Sequence, residues 1–331
     1  MTFNTSLVLD LLAACPAYQP TPLREIAFNG RPPLWVKDET QRMGLGAFKA
    51  LGGVYAVFRL LAEGDAPSAR VVETPQFKDK AAATVFVCAS AGNHGMAVAA
   101  GARIFGARAR IYLAETVPDG FADRLRAKGA EVVRAGADYE ASVQAAIADA
   151  ENTGAMHLAD GSWPGYATAP FFVMEGYTVM AAEMRGEFER RGEWPTRVFL
   201  QAGVGGLAAA IARSIRVSWA EQPELIVVEP DAAPCLAESV RAGEMRTVAG
   251  PVSNMGRLDC KTPSMLAFDI LRQDADRFVT VTDHEATAAA DLLAAQGIIS
   301  TPSGVAGLAA FLAAEPAGDR SLIIASEGAV D

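Results

Sequence analysis

The sequence is poor in metal-binding residue types and in positive charge. It has 3 histidines and 4 cysteines in 331 residues, and none of them forms a CxxC, HExxH or similar metal-ligand spacing. We therefore expect no metal site. The 29 lysines and arginines are outnumbered by 39 aspartates and glutamates, which gives a formal net charge of -10. Without a basic stripe to neutralise phosphates, nucleic acid is not expected as a partner.

Long apolar runs and a secretion signal are also lacking. No run approaches the roughly 20 apolar residues that cross a bilayer. The first residues, Met1-Thr2-Phe3-Asn4-Thr5, lack the basic segment of a signal peptide. We therefore expect a cytoplasmic protein with no membrane partner. The hydrophobic content of 51% is ample for a large core, and the chain length favours about two domains.

From about residue 82, short β-branched runs alternate with alanine-rich helical patterns. Strand followed by helix, with short links, indicates parallel sheets covered on both faces, so we predict an α/β fold with two parallel-sheet domains. The predicted strands are Ala83–Cys88, Ala109–Leu113, Glu131–Arg134, Arg197–Leu200, Glu224–Pro230 and Leu322–Ala325. The predicted helices are Met96–Phe105, Phe121–Lys128 after a cap at Asp119, Tyr139–Glu151 and Leu207–Val217.

One lysine stands where a glycine-rich turn enters an apolar helical segment. Lys49 follows Phe48 and precedes small residues. An ammonium there is partly desolvated, and desolvation lowers the pKa of a lysine toward the neutral amine. A neutral amine is what an imine with a carbonyl compound such as pyridoxal phosphate requires. The alternative is a surface lysine at the start of an amphipathic helix.

A second segment, Ser90-Ala91-Gly92-Asn93-His94-Gly95, follows a predicted strand and opens a helix. Ligands of open parallel sheets bind at this edge. The Asn93 amide suits a ring hydroxyl, and Ser90 with backbone N–H groups suits a carboxylate. The alternative is a turn that only caps the helix. His94 by itself is more typical of a packed structural histidine than of a base.

Two further loops follow strands. Gly203-Val204-Gly205-Gly206 lets the backbone approach an anion at a helix N-terminus, which favours phosphate. It is not the GxGxxG of a dinucleotide site, so NAD is not expected. In Ala325-Ser326-Glu327-Gly328, the Ser326 hydroxyl suits a pyridine nitrogen, and a plain turn serine is the equal alternative.

The order of these four segments resembles the fold-type II pyridoxal-phosphate enzymes, the group of tryptophan synthase β, serine/threonine dehydratases and cysteine synthases. Within that group the chain looks most like the diaminopropionate ammonia-lyases. The resemblance covers nearly the whole chain. It rests on 35–39, 44–53, 163–166, 174–177, 199–205, 228–231 and 326–328, of which 47–53 and 201–205 are the most specific.

The resemblance implies pyridoxal 5'-phosphate in a cleft between two α/β domains. Residues 1–70 and 165–331 would form the large cofactor domain, and 71–164 the small one. Lys49 would bind the cofactor covalently and move the Cα proton of the substrate. The other implied cofactor contacts are Phe48 beside the lysine, Asn93 at the ring hydroxyl, Gly203, Val204, Gly205 and Gly206 at the phosphate, and Ser326 at the ring nitrogen.

The implied reaction is α,β-elimination from a small β-substituted amino acid, giving a 2-oxo acid and ammonia. The substrate would contact Ser90, Ala91, Gly92 and His94, and a homodimer is expected. A 3-hydroxyamino-acid dehydratase acting on serine, threonine or hydroxyaspartate is the alternative, followed by a β-replacement synthase. A non-catalytic binding protein of this fold is a different class, but it would have no need of an imine-forming lysine.

The chain departs from the family at two places that concern the substrate. Ala91 stands where the family has an aspartate that acts as a second base, so turnover of a D-substrate through that residue is not expected. Lys261 and Thr262 stand where the family has glycine and glutamate. A cation there would favour an anionic or neutral β-substituent, unless Lys261 simply points to solvent.

Two further resemblances are to an acid and to a cysteine pair. Asp160 matches a family carboxylate that would hold a β-ammonium or assist its departure, although a loop carboxylate capping a turn has equal weight. Cys235 and Cys260 fall where the family can carry a cysteine pair. In a reducing cytoplasm that bond would be transient or absent.

Overall fold

The computed structural model describes residues 2–28, 30–62, 64, 67–315 and 320–329. The far ends of the predicted large domain, at residues 1, 330 and 331, lie outside this part. The described residues form two sheets. Their strands are β1 (Leu23–Ile26), β2 (Leu34–Asp38), β3 (Val85–Ala89), β4 (Arg108–Leu113), β5 (Glu131–Arg134), β6 (Met156–His157), β7 (Arg197–Gln201), β8 (Glu224–Pro230), β9 (Arg277–Val281) and β10 (Ser321–Ala325).

Twelve α-helices connect and cover these strands within the described ranges. Short 3₁₀ turns occur at Arg42–Gly44, Ala69–Glu73 and Ser303–Val305. The α-helices are α1 (Thr5–Ala13), α2 (Lys49–Leu61), α3 (Pro75–Ala83), α4 (Asn93–Phe105), α5 (Asp119–Ala127), α6 (Tyr139–Thr153), α7 (Thr168–Arg191), α8 (Gly206–Ser218), α9 (Cys235–Ala242), α10 (Met265–Asp274), α11 (Asp283–Ala294) and α12 (Ala306–Ala313).

The larger sheet has the order β1-β2-β10-β7-β8-β9 and the smaller one β5-β4-β3-β6. Every neighbouring pair is parallel except β1 and β2, which are antiparallel at one edge. Strands such as β10 are buried along their whole length, as parallel strands covered on both faces must be. The predicted α/β class with parallel sheets is confirmed.

The sequence pattern predicted six of the ten described strands and missed β1, β2, β6 and β9, and it placed some helix starts inexactly. The predicted bounds of β5 and β8 agree with the structure. Helix α4 begins three residues earlier than Met96, so Asn93 and His94 lie in its first turn. The prediction of Asp119 as a cap is wrong, because Pro118 occupies the cap position and Asp119 is the first helical residue.

A central feature of the packing is the close approach of α2 to α4 and α7. A Cβ on Gly52 would lie 2.3 Å from Cε1 of Tyr177, and one on Gly53 would lie 2.5 Å from Cβ of Ala97. On the facing helix, a Cβ on Gly176 would lie 2.6 Å from the Leu51 carbonyl oxygen. These glycines let three helices meet at backbone distance, and they thereby fix the position of Lys49 at the start of α2.

No helix in the part of the chain that the structure describes is long and apolar enough to cross a membrane.

Candidate active site

Lys49 is the first residue of α2, and the start of that helix is tied to the end of β10. The backbone N–H of Phe48 donates to the Ser326 carbonyl at 3.0 Å. The Lys49 ammonium donates to a carboxylate oxygen of Asp160, which stands 111 residues away in the chain. The site therefore joins a lysine of the larger-sheet unit to a carboxylate of the smaller-sheet unit.

The ion pair sets the charge of both groups. Burial alone would lower the pKa of Lys49, but the Asp160 carboxylate outweighs burial and holds that pKa above its ordinary value. Burial alone would raise the pKa of Asp160, and the charge of Lys49 instead holds it well below its usual range. The expected lowering of the Lys49 pKa is thus wrong, because the sequence gave no sign that the Asp160 carboxylate contacts Lys49.

Two buried polar atoms beside this pair make no hydrogen bond within the described residues: Nδ1 of His94 and the hydroxyl of Tyr177. His94 Nε2 lies 2.8 Å from the Leu158 carbonyl, which requires a proton on Nε2 and leaves Nδ1 as an acceptor. Burial lowers the pKa of His94, so the ring is neutral. The Tyr177 ring packs against Phe48 at 4.8 Å between centroids. Polar atoms left open in this way indicate that a ligand completes the site.

Asn93, in the first turn of α4, donates its side-chain amide to Glu327. Glu327 is buried and also accepts from Arg257 Nη1 at 2.7 Å and Thr301 Oγ1 at 2.5 Å. Burial raises its pKa even though Arg257 opposes that effect. This cluster holds the Asn93 amide in one orientation. Glu327 and Arg257 were missed as site residues; the only signal was that Glu327 adjoins Ser326.

The loop Gly203–Gly206 connects β7 to α8. Gly205 has φ +99, and a Cβ there would lie 2.9 Å from both Ala267 Cβ and Leu236 Cδ1. The first N–H groups of a helix have no intrahelical partner, so those at the start of α8 are donors for an anion. A Cβ on Gly206 would lie 4.0 Å from the Asp160 carbonyl, which places the loop next to the lysine pair.

Ser90, Ala91 and Gly92 form the turn from β3 into α4, and a Cβ on Gly92 would lie 4.0 Å from Arg257 Nε. Ser326 is buried, and its hydroxyl makes no hydrogen bond with any other described residue. Both segments therefore lie with Lys49, Asn93 and the glycine loop at the carboxyl ends of parallel strands, the edge predicted for ligand binding.

Lys261 is not brought to this cluster. Its ammonium donates to the carbonyls of Ala232 and Pro251, each at 2.9 Å, and to Asp259 Oδ1 at 2.6 Å. These three oxygens bind the Lys261 ammonium, and they belong to neighbouring loop segments. The substrate contact expected for Lys261 is therefore not visible in the structure. Arg257, by contrast, contacts this cluster through Glu327.

Cys235 and Cys260 both adjoin Gly203 and both are free thiols. The Cys235 sulfur lies 3.8 Å from the Gly203 carbonyl, and the Cys260 sulfur lies 3.0 Å from where a Gly203 Cβ would be. Burial raises the pKa of Cys260 to about 11, so it is a neutral thiol. Among the described residues, no group of histidine, cysteine, aspartate and glutamate is placed to hold a metal ion.

The comparisons with known proteins agree with one another. Diaminopropionate ammonia-lyase of Salmonella typhimurium is 34% identical over 290 residues, covering 83% of this chain and 72% of that protein. The probable D-serine dehydratase of Pseudomonas paraeruginosa is 28% identical over 313 residues, or 87% of this chain and 68% of that protein. The crystal structure of Escherichia coli diaminopropionate ammonia lyase with D-serine matches with a TM-score of 0.85 and 28% identity, covering 98% of this chain and 88% of that one.

The described residues fit a pyridoxal phosphate molecule. The glycine loop leaves space and N–H donors for its phosphate, Lys49 suits its aldehyde, and open polar atoms surround the space between. The family model for pyridoxal-phosphate dependent enzymes matches residues 14–327. The resemblance read from the four segments and the cofactor it implied are thereby confirmed: the chain belongs to the pyridoxal-phosphate dependent enzyme family.

Proposed function

We propose that this chain is a carbon–nitrogen lyase that catalyses α,β-elimination from a small β-substituted amino acid, releasing a 2-oxo acid and ammonia in the manner of the diaminopropionate ammonia-lyases. The observation that carries the proposal is the contact between Lys49 and Asp160 at the edge of the glycine loop. When bound, pyridoxal phosphate supplies an electron sink for the pair released from the Cα–H bond.

Lys49 serves as the attachment point and then as the base. Once freed, its Nζ is placed on α2 to accept the Cα proton, since Phe48 and Tyr177 flank it on the apolar side. Attachment of the cofactor to Lys49 would remove the positive charge that pairs with the Asp160 carboxylate. The buried Asp160 carboxylate is then left without a counter-charge, and it favours a positive or proton-bearing group on the substrate.

Asp160 is the residue that we assign to the leaving group. With Lys49 engaged elsewhere, the pKa of Asp160 rises because the lysine charge, the largest effect that opposes burial, is removed. A protonated Asp160 can deliver its proton from Oδ2 to the departing β-group. A departing amine or hydroxyl needs such a proton, because neither leaves readily as an anion.

The remaining contacts orient the cofactor. We assign the N–H groups of Gly205 and Gly206, with Gly203 and Val204 beside them, to the phosphate. The Asn93 amide, held by Glu327, suits the ring hydroxyl, and the Ser326 hydroxyl suits the ring nitrogen. A neutral serine there leaves the ring without a strong proton donor.

A 3-hydroxyamino-acid dehydratase is the second candidate. A proton from Asp160 assists a leaving hydroxyl as well as a leaving amine, and the probable D-serine dehydratases are among the relatives. The ammonia-lyase proposal has the stronger support, because those relatives reach 34% identity against 28%.

We also propose the division into a large unit, 1–70 with 165–331, and a small unit, 71–164. Its support is that β3 to β6 fall in the small range and the other strands in the large one. A homodimer and a cytoplasmic location are further proposals. Family resemblance supports the first, and four free cysteines support the second. Light scattering of the purified protein would test the dimer.

The test is a panel of L-amino acids incubated with the purified holoenzyme: diaminopropionate, serine, threonine and 3-hydroxyaspartate. We expect a 2-oxo acid and ammonia. One diaminopropionate and one water give one 2-oxo acid and two molecules of ammonia, whereas one serine gives one 2-oxo acid and one ammonia. Lys49→Ala should abolish release, and the exposed Lys78→Ala on α3 is the matched control. A protein that is colourless with pyridoxal phosphate and releases no 2-oxo acid would overturn the proposal.

A further inference from the structure

The segment that carries Asp160 lies between β6 and α7, and one hydroxyl holds it to the end of β6. The Tyr166 hydroxyl donates to the His157 carbonyl at 2.8 Å and accepts from the Ala159 N–H at 3.0 Å. His157 is the last residue of β6, and Ala159 directly precedes Asp160. The backbone just before Asp160 is therefore fixed to the smaller sheet.

On the other side of Asp160, Ser162 is bound to the start of α10, a helix of the larger-sheet unit. Its carbonyl and its hydroxyl accept from the N–H groups of Met265 and Leu266, each at 2.9 Å. Its own N–H donates to the Ser264 hydroxyl at 3.0 Å, and the two hydroxyls lie 2.7 Å apart. Ser162 and Ser264 are both buried. Asp160 is thus held between the smaller sheet and a helix of the other unit.

Ser162 supplies the cap that α10 does not have within its own segment. The first N–H groups of a helix have no intrahelical partner, and the side chain of the residue before the helix commonly accepts from one of them. Ser264 holds that position, but its side chain makes no capping hydrogen bond. The Ser162 hydroxyl, 102 residues away in the chain, accepts from Leu266 instead. Loss of that hydroxyl would leave a buried N–H without its acceptor.

The same contact reaches the glycine loop. The Ser264 N–H donates to the Val204 carbonyl at 2.9 Å. Beside it, a Cβ on Gly206 would lie 4.0 Å from the Asp160 carbonyl. Ser264 is therefore bonded both to the loop proposed for the phosphate and to Ser162, two residues after Asp160.

We propose that Ser162 and Ser264 form a serine junction between the two units that positions the Asp160 carboxylate against Lys49. Both serines act through Asp160, so they are positioning residues. The serine junction rests on the proposed function for its catalytic meaning, but its effect on Lys49 can be measured through cofactor attachment, without turnover.

A displacement of Asp160 should be detectable in the charge of Lys49. The Asp160 carboxylate is the largest of the effects that oppose burial at Lys49, and its loss in Asp160→Asn should lower the pKa of Lys49. Tyr177 and Cys260 would act in the same direction only when ionised, and burial raises the pKa of each, so both are neutral. A weakened serine junction should therefore change the pKa of Lys49 in the direction of Asp160→Asn, and by less.

The first test follows attachment of pyridoxal phosphate by absorbance across a pH series. We expect attachment to extend to lower pH in Ser162→Ala and Ser264→Ala than in the wild type, though less far than in Asp160→Asn. Ser162→Thr keeps the hydroxyl and should keep most of the wild-type profile. Ser264→Ala is the milder variant, because Leu266 keeps its acceptor on Ser162.

Ser239→Ala is the matched control for the loss of a buried hydroxyl. Ser239 is buried on α9, donates to the Cys235 carbonyl at 2.6 Å and accepts from the Arg246 N–H at 2.8 Å. Its removal leaves an N–H without an acceptor, as Ser162→Ala does, but touches no residue of the serine junction. The pH profile of attachment should stay that of the wild type.

Turnover by the holoenzyme gives the second readout. A displaced Asp160 should lower kcat by about 10- to 100-fold with little change in KM, since misplacement by about 1 Å can cost that factor. If Ser162 acts through Asp160, Ser162→Ala should cost much less in the Asp160→Asn background than in the wild type. A double-mutant cycle of kcat values measures this difference.

Wild-type pH profiles and kcat in Ser162→Ala and Ser264→Ala would overturn the serine junction and leave the elimination standing. An equal loss of kcat with and without the Asp160 carboxylate would also overturn it, because Ser162 would then act on the fold as a whole. Shifted attachment in both variants, with no 2-oxo acid released by the wild type, would support the serine junction and overturn the elimination alone.

Discussion

At the residue scale, Asp160 keeps the proton on Lys49 through the ion pair between them. The carboxylate holds the pKa of Lys49 up against the effect of burial. A lysine that is charged is a poor nucleophile, so attachment of the cofactor requires the proton to leave Nζ. The ion pair thus keeps Lys49 protonated. Asp160, which is hydrogen-bonded to Nζ, can accept the proton when it leaves.

Replacing Asp160 by Asn should separate its effect on the charge of Lys49 from its role as proton donor to the leaving group. The largest effect that opposes burial would then be removed, so the pKa of Lys49 should fall from its raised value. Turnover should fall by about 10² to 10⁴-fold because the leaving group loses its proton donor. Cofactor attachment, followed by absorbance across a pH series, should extend to lower pH than in the wild type.

Asp259→Asn is the matched control, since the Asp259 carboxylate pairs with Lys261 and not with Lys49. It should leave the pH dependence of attachment unchanged. If Asp160→Asn and the wild type attach the cofactor with the same pH profile, the ion pair does not set the charge of Lys49.

The enantiomer that is used depends on Ala91. This side chain follows Ser90 in the turn before α4 and has no atom that can accept a proton. We expect the holoenzyme to release 2-oxo acid from the L-form of a substrate at least about 100-fold faster than from the D-form, because one positioned base contributes at least about that factor to the rate. Ala91→Asp should gain activity on the D-form, whereas Ala91→Ser should not. Equal rates for both enantiomers in the wild type would contradict this assignment.

At the element scale, the glycine loop before α8 depends on one backbone conformation. Gly205 has φ +99 and no room for a Cβ beside Ala267 and Leu236. Gly205→Ala should destabilise the protein by about 1 to 3 kcal/mol and weaken cofactor binding. Gly186→Ala, at an exposed position of α7 with nothing within 4 Å, should be neutral or stabilising by up to about 1 kcal/mol.

Chemical denaturation of both variants, with and without pyridoxal phosphate, would measure these differences. Gly205→Ala that is as stable as the wild type and binds the cofactor equally well would show that the loop does not require its left-handed residue.

Helix α9 begins on a buried carboxylate that should make stability depend on pH. Glu229 is fully buried and accepts from the N–H groups of Leu236 and Ala237, each at 2.8 Å. Burial raises the pKa of Glu229 from 4.5 to about 7. Between those values the folded state binds a proton that the unfolded state has lost, so stability falls as pH rises through this window.

The expected loss between pH 4.5 and pH 8 is on the order of 2 to 3 kcal/mol from this group. Glu229→Gln has no proton to lose, so the free energy of unfolding of the variant should lack that part of the slope. Parallel pH profiles for variant and wild type would show that Glu229 is ionised throughout, held by its two N–H donors.

At the scale of the whole molecule, the site is assembled from both α/β units. Lys49, the glycine loop and Ser326 come from the part built on the larger sheet, and Asn93 with Asp160 come from the part built on the smaller one. A cofactor held by both parts binds only the folded arrangement. The temperature of unfolding should therefore rise when pyridoxal phosphate is added. At a cofactor concentration 100 times the dissociation constant, the free energy of unfolding should increase by about 2.7 kcal/mol. Lys49→Ala should lose most of this shift.

The parts of the fold that could be predicted are those with a local signal. Strand β8 is buried at every residue except its first, and its apolar run was predicted at the observed bounds. Strand β5 lies at a sheet edge and is only partly buried, and its two β-branched valines were enough to predict its observed bounds. The sequence at 66–80 is a polar, weakly patterned insert with no predicted helix, so α3 was missed although Thr74 caps it and Pro75 opens it. Residue 66 of that insert lies outside the described part of the chain.

The parts of the site that could not be predicted depend on long-range neighbours. The pKa of Lys49 is set by Asp160, and Glu327 is tied to Asn93 from 234 residues away. Lys261 is tied to carbonyls of two other loop segments, which no spacing in the sequence reveals. Residue types at strand ends predict where a ligand binds. The charge that each of those groups carries can be assigned only from the folded structure.

The most direct test of the account is 2-oxo acid release from the amino-acid panel, with 3-hydroxyaspartate and diaminopropionate included, by the wild type, Lys49→Ala and Lys78→Ala holoenzyme preparations. We predict that the wild type and Lys78→Ala release a 2-oxo acid with ammonia at the same rate, and that Lys49→Ala releases none. Release by Lys49→Ala at the wild-type rate, or no release from any amino acid by a cofactor-loaded wild type, would contradict the assignment of this chain as a lyase that acts through Lys49.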